Sequence, residues 1–323
     1  MVCSLSKAKW RMDPYIPRRV RTRTVFRKLM RQLRLACTVL VLVTPVCLVT
    51  ACRLDQQESS TSKSSGAISL LDASGVQHIL PRPAGRLLSL VPSATETLRA
   101  MGAASTLVGR TDYDTGTWIA ELPSVGGGLG PNLEAIVSLQ PDLVVRFAGG
   151  QDQATPSRLD ELGIPHISVR PDQIEDIYTT AKLLGRATGY EAAADSLVQA
   201  IRSNLERVAS LTAKLPRQRV AYVLGGSPPW VSGPGTYIHE VITLVGGENV
   251  FGDLGPLYSA VSFEEILNRE IDVVLIPNEA AADPFLSQDA RIEVFGPELE
   301  MPGPDVVETA SRVAELLHGI ELP

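Results

Sequence analysis

From Ala67 onward the chain alternates short apolar runs, rich in β-branched residues, with longer amphipathic stretches. That rhythm predicts βα units and mostly parallel sheets. The predicted strands are Leu87–Val91, Leu107–Gly109, Leu143–Phe147, His166–Val169, Val220–Leu224, Val273–Ile276 and Ile292–Phe295, with a leading hairpin around Ile68 to Leu80. One stretch differs from the rest. Over Glu191 to Leu215, Leu197, Ile201, Leu205, Val208 and Leu211 recur at spacings of three and four, with no Gly or Pro before Pro216. At 1.5 Å per residue such a helix is roughly 37 Å long, the span needed to connect two small domains.

The halves on either side of this helix repeat each other. Asn132-Leu133-Glu134-Ala135-Ile136 and Pro141-Asp142-Leu143-Val144-Val145 match Ser262-Phe263-Glu264-Glu265-Ile266 and Ile271-Asp272-Val273-Val274-Leu275 at a constant offset of 130. Each unit is a capped helix start, a turn ending in Asp, and a buried strand. The expected fold is therefore α/β: two Rossmann-like lobes with central parallel sheets, bridged by one long α-helix, with a ligand cleft between them. The expected divisions are residues 67–189, a first α/β lobe; 190–216, the bridging helix; and 217–323, a second α/β lobe.

The segment ahead of the lobes has another pattern. Between Arg34 and Arg53 lie eighteen uncharged, mostly apolar residues, and Val49-Thr50-Ala51-Cys52 resembles the bacterial lipobox, with Cys52 as the acylated residue. A retained transmembrane anchor is the alternative by length. Residues 1–51 are read as a signal region whose true start is Met30, since the segment from Met30 has the length of an ordinary signal peptide. Residues 52–66, polar and without apolar period, are read as the lipidated cysteine and a flexible tether.

Charge sharpens this division. Residues 1–51 carry eleven Lys or Arg and one Asp, whereas residues 52–323 carry nineteen basic and thirty-five acidic residues. An acidic body with scattered cations repels phosphate backbones, so nucleic-acid binding is not expected and membrane attachment is expected through the lipid anchor alone. All four cysteines, Cys3, Cys37, Cys47 and Cys52, precede the lobes, which removes thiol nucleophiles, disulfides and cysteine zinc sites from the fold. The glycine run Gly126 to Gly130 lacks the Lys-Ser/Thr of a phosphate loop, and no Gly-x-Ser-x-Gly elbow is present. His78, His166, His239 and His318 fall in separate elements, so no metal site and no catalytic residues are expected, although a single His or Tyr suffices as an axial haem ligand.

Several motifs together resemble the helical-backbone, class III, periplasmic substrate-binding proteins of ABC importers for cobalamin, ferric siderophores and haem. They are Arg86-Leu87-Leu88-Ser89-Leu90-Val91-Pro92-Ser93-Ala94-Thr95-Glu96, Asn132-Leu133-Glu134, Pro141-Asp142-Leu143-Val144, Gly246-Gly247-Glu248-Asn249-Val250-Phe251 and Pro302-Gly303-Pro304. The resemblance covers Ile68 to His318, and within the family it is nearest to cobalamin binders through Phe147-Ala148-Gly149-Gly150 and Ser227-Pro228-Pro229-Trp230-Val231-Ser232-Gly233. It implies a monomer, lipid-anchored in the periplasm or on the outer face of a cell membrane, without cofactor or enzyme activity. Such a protein hands a small-molecule ligand, most closely a corrinoid, to an ABC permease dimer. Ferric siderophore or haem capture is the alternative within the class, and a surface lipoprotein without transport is the alternative outside it.

The resemblance also implies roles for residues. Glu134 and Glu264 stand where one exposed Glu on each lobe docks onto permease arginines, helix capping being the plainer reading. Pro92, Ser93, Tyr113, Asp114, Gly127, Phe147, Gly149, Gly150, Pro229, Trp230 and Glu279, on loops after strands, are the expected ligand walls, with glycines for close backbone approach and aromatics for flat apolar area. Packing is the competing reading for each aromatic. Three departures stand out: glycines at 126–130 where cobalamin binders often carry an aromatic, fifteen residues between Ile276 and Ile292 where the family has room for a further helix, and Asp305 where Arg is common.

Overall fold

A computed structural model describes residues 66–150, 152–255, 257–279 and 289–321. The expected signal region, Cys52 and nearly all of the tether lie outside the described residues, as does most of the stretch expected to be short of a helix.

Besides a two-stranded leading hairpin, two larger sheets form, one on each side of residues 174–212. The first has the order β4(Leu107–Gly109), β3(Leu87–Ser89), β5(Leu143–Phe147), β6(His166–Val169), all parallel. Its helices are α1(Pro92–Ala100), α2(Leu133–Leu139), α3(Ala154–Glu161) and α4(Ile174–Thr188). In the second sheet, β7(Gln218–Gly225) pairs in parallel with β11(Val273–Ile276) and β9(Gly247–Asn249), and β12(Arg291–Val294) completes the order on β11. Three strands are absent from the sequence reading: β9, and β8(Trp230–Ser232) and β10(Tyr258–Ala260), which extend the sheet antiparallel. The helices of this lobe are α6(Tyr237–Leu244), α7(Phe263–Leu267) and α8(Val306–His318). The central strands are largely apolar, such as Val273–Ile276 with every residue buried, as expected of sheets covered on both faces.

The repeat seen in sequence has a physical basis in the strand starts. Asp142 accepts from the backbone N–H of Gly85 and Arg86, both at 3.0 Å, while its own N–H donates to the Arg86 carbonyl. Asp272 does the same to Arg219, accepting its N–H at 2.7 Å and donating to its carbonyl at 2.9 Å. In each lobe the Asp ahead of one central strand thus clamps the beginning of its neighbour and fixes the register. The Arg219 guanidinium beside it also holds the Asp272 carboxyl below the usual carboxylate range.

The hairpin β1(Ile68–Leu71) and β2(Gln77–Leu80) is tied to the first sheet by Asp72, which is 5% exposed. Its carboxylate accepts from the N–H and hydroxyl of Ser168 and from the N–H of Ser74 and Val76. Burial alone raises the Asp72 pKa, yet these donors outweigh it and the net shift is downward.

Helix α5(Glu191–Thr212) bridges the lobes, three residues shorter at its C-terminus than the periodicity predicts. Its buried stripe of Ala194, Val198, Ile201, Leu205, Val208 and Thr212 is divided between two cores. Ala194 belongs with Leu87, Leu98, Leu143 and Leu184 in the first lobe, whereas Val198, Ile201, Leu205 and Val208 pack with Tyr222, Leu275 and Val313 in the second. Helix α4 is divided likewise: Ile177, Tyr178 and Ala181 join the second core, and Leu183, Leu184 and Ala187 the first. The bridge is therefore a helical hairpin, with α4 sharing a duty the sequence assigned to one helix.

Candidate functional site

In open α/β sheets the carboxyl ends of the strands border a crevice. Here the ends of both sheets contribute to one cavity of about 770 Å³. The first lobe supplies Leu90, Val91 and Pro92 after β3, Asp112, Tyr113 and Thr115 after β4, Gly127, Gly128 and Leu129 ahead of α2, and Phe147 at the end of β5. The second lobe supplies Glu298, Glu300 and Met301 from the short 3-10 turn Pro297–Glu300 and the residue after it.

Local chemistry explains why these segments present what they do. Pro92 starts α1, where a missing N–H costs nothing and its ring is left to face the cavity. Phe147 folds over Gly149: a Cβ added there would lie 2.6 Å from the ring, so only glycine permits this ring position. On the opposite wall, Gly296 adopts φ +110°, and a Cβ there would meet the Glu298 carboxylate at 2.1 Å. The Glu300 carboxylate accepts a 2.7 Å hydrogen bond from the Tyr222 hydroxyl, whose ring is fully buried on β7. Burial, then that bond and the negative charge of Glu300, push the Tyr222 phenol far up. Tyr258 is pushed up to about 12 by desolvation first and then by Glu300 and Asp172.

Of the residues expected in the ligand walls, Pro92, Tyr113, Gly127 and Phe147 line the cavity, and Tyr113 is 69% exposed. The others are placed elsewhere. Ser93 is buried beneath Gly303 of the second lobe, where an added methyl would come within 3.5 Å of its Cβ. Asp114 is buried and accepts from the N–H and hydroxyl of Thr111, tying its own loop. Gly149 acts beneath Phe147 rather than on the wall, and Gly150 is exposed. Pro229 is buried, its carbonyl accepting from Val261, while Trp230 on β8 and Glu279 are exposed outside the lining. The residues missed are Leu90, Val91, Asp112, Thr115, Leu129, Glu298, Glu300 and Met301. The one available signal for the last three was their position directly before Pro302-Gly303-Pro304.

Glu134 and Glu264 occupy the same place in the two lobes, in the first turns of α2 and α7, and both are exposed. The caps are filled by other side chains: Asn132 accepts from the Ala135 N–H and Ser262 from the Glu265 N–H. Among the described residues neither glutamate has an ion-pair partner. Each is followed one turn later by an exposed apolar residue, Val137 and Leu267. Among the described residues no cluster of three metal-ligating side chains occurs, and no helix is long and apolar enough to cross a membrane.

Two α/β lobes on a helical bridge, enclosing a cavity at their facing strand ends, define a solute-binding receptor of the helical-backbone class. The chain belongs to the periplasmic binding protein family, which it matches over residues 87–291. A vitamin B12-binding protein of Salmonella typhimurium is 33% identical over 201 residues, covering 61% of this chain and 74% of that protein. The crystal structure of the periplasmic vitamin B12 binding protein of Vibrio cholerae superposes with a TM-score of 0.64 at 25% identity, covering 73% of this chain and 97% of that one. A periplasmic haem binding protein from Pseudomonas aeruginosa shares the fold, with a TM-score of 0.67 at 22% identity over 74% of this chain and 95% of that one. Proteins of this family bind a small molecule and work with an ABC transporter, so an extracytoplasmic location is expected.

Proposed function

We propose that this protein is a carrier, not an enzyme, that captures a corrinoid in the interlobe cavity and delivers it to an ABC import permease. The observation that carries this reading is the cavity itself. Its volume of about 770 Å³ falls among those of small-molecule sites, and it is walled by Phe147, Tyr113, Pro92 and a glycine-rich loop that offer flat apolar surface to a macrocycle. The likeness to vitamin B12-binding proteins supports the same ligand class.

Delivery follows from the paired glutamates. Two unpartnered carboxylates, one per lobe at equivalent places, match a dimeric permease that presents one cationic socket to each. Acylated Cys52 tethers the monomeric body to a membrane outside the cytoplasm. Calorimetric titration of the mature protein with cobalamin, cobinamide, haemin and a ferric hydroxamate tests the ligand. Saturable binding of the two corrinoids alone is expected, and binding of haemin or the hydroxamate without them overturns the corrinoid assignment.

A further inference from the structure

The charges around the cavity are all of one sign. Among the described residues its lining carries Asp112 on one wall and Glu298 and Glu300 on the other, with no Lys, Arg or His. Of the arginines on neighbouring elements, Arg99 pairs with Glu96 and lies over Trp118, while Arg110 donates to the Thr111 carbonyl and is not among the residues that line the cavity.

The acidic groups are held in place. Asp112 accepts from the Ser124 hydroxyl, Glu300 from the buried Tyr222 hydroxyl, and Glu298 is aimed by the turn at Gly296. All three carboxylates are exposed at the rim of the cavity, so their field meets an approaching ligand before it enters and is screened by salt.

We infer that the cavity is a charge filter: Asp112, Glu298 and Glu300 admit neutral or cationic chelates with amide-bearing rims and turn away polyanionic ones. Amide N–H groups are donors for which a fixed carboxylate is the stronger partner, whereas a ligand carboxylate or catecholate meets only like charge. The inference deepens the proposed function and rests on the ligand-capture reading of this cavity.

The test is a titration of the mature protein with two charge series. One keeps the corrin ring and varies its rim: cationic cobinamide, neutral cobalamin and the polycarboxylate cobyrinic acid. The other is ferric: a cationic trihydroxamate and a trianionic tricatecholate. Within the corrinoid series the polyanion is expected to bind on the order of a hundredfold more weakly than the cation, and the gap narrows as salt is raised. Glu298→Gln, which removes no hydrogen bond described for the fold, is expected to narrow it by about tenfold, and Glu300→Gln keeps an acceptor for Tyr222 while acting in the same direction. Corrinoids that bind without regard to charge overturn the filter and leave the corrinoid reading standing. A ferric series that follows charge while no corrinoid binds does the reverse. Absence of binding in both series overturns both.

Discussion

The two lobes start from one design and diverge where they face each other. Both begin with the same Asp clamp, through Asp142 and Asp272, and both open a helix with a capped turn that carries an exposed glutamate. The first lobe then gives the cavity a wall of glycine backbone, proline and aromatic rings, while the second gives a short turn with two carboxylates and a methionine. Duplication thus accounts for the scaffold and the exposed glutamate corners, whereas the loops at the strand ends are where each half acquired its own chemistry. Shape comes chiefly from one side and charge from the other.

The sharpest break of the symmetry is at its outer corners. Replacing both Glu134 and Glu264 by Lys is expected to leave ligand titration unchanged and to abolish uptake in a cell-based transport assay, since each reversed charge pair costs about 2 kcal/mol or more at a docked interface. Uptake that persists in the double variant removes the docking role. The contrast between the walls is probed next: Phe147→Ala should weaken corrinoid binding by about 1.5–3 kcal/mol, the worth of a buried large side chain, whereas Trp230→Ala should leave it unchanged. Equal losses in calorimetry would mean the cavity extends to β8.

A smaller effect separates the lobes by pH. His166 in the first lobe is 9% exposed, with Nδ1 accepting from Arg146 and Nε2 directed at Asp160, and His78 is its next titratable neighbour. Burial first and then the Arg146 charge hold its pKa below the ordinary 6.5, against the opposing pull of Asp160. Below that ordinary value the unfolded chain takes up a proton that the native imidazole refuses, so stability falls as pH drops, by at most about 1.4 kcal/mol per pH unit. Urea denaturation between pH 7.5 and 5 should show this loss in the parent protein and a flatter profile in His166→Gln; identical profiles would assign the pH dependence to other groups.

Much of the framework was legible because it rests on periodicity. The apolar runs at Leu143–Phe147 and Val273–Ile276 and the stripe along α5 are long enough for spacing alone to identify them. Strands β8, β9 and β10 escaped because three residues each leave no period to count. The site was harder. Asp112 and Asp114 stand two positions apart in one loop, yet the first lines the cavity and the second turns inward to Thr111. Nothing in a polar loop states which way a side chain points. Glu300 carried no signal because its partner, Tyr222, is 78 residues away. Trp230 looked like a ligand platform because tryptophan suits one, but β-pairing holds it on another surface.

The divided stripe of α5 bears on how a permease recognises cargo. Swinging the lobes apart would pull Val198 and Leu205 from one interior and Ala194 from the other, so the hairpin acts as a splint across the joint. A carrier splinted in this way has little change of outline with which to announce that it is full. Under the proposed delivery, the signal that distinguishes a laden molecule from a vacant one then falls to the guest itself, displayed at the mouth of the cavity.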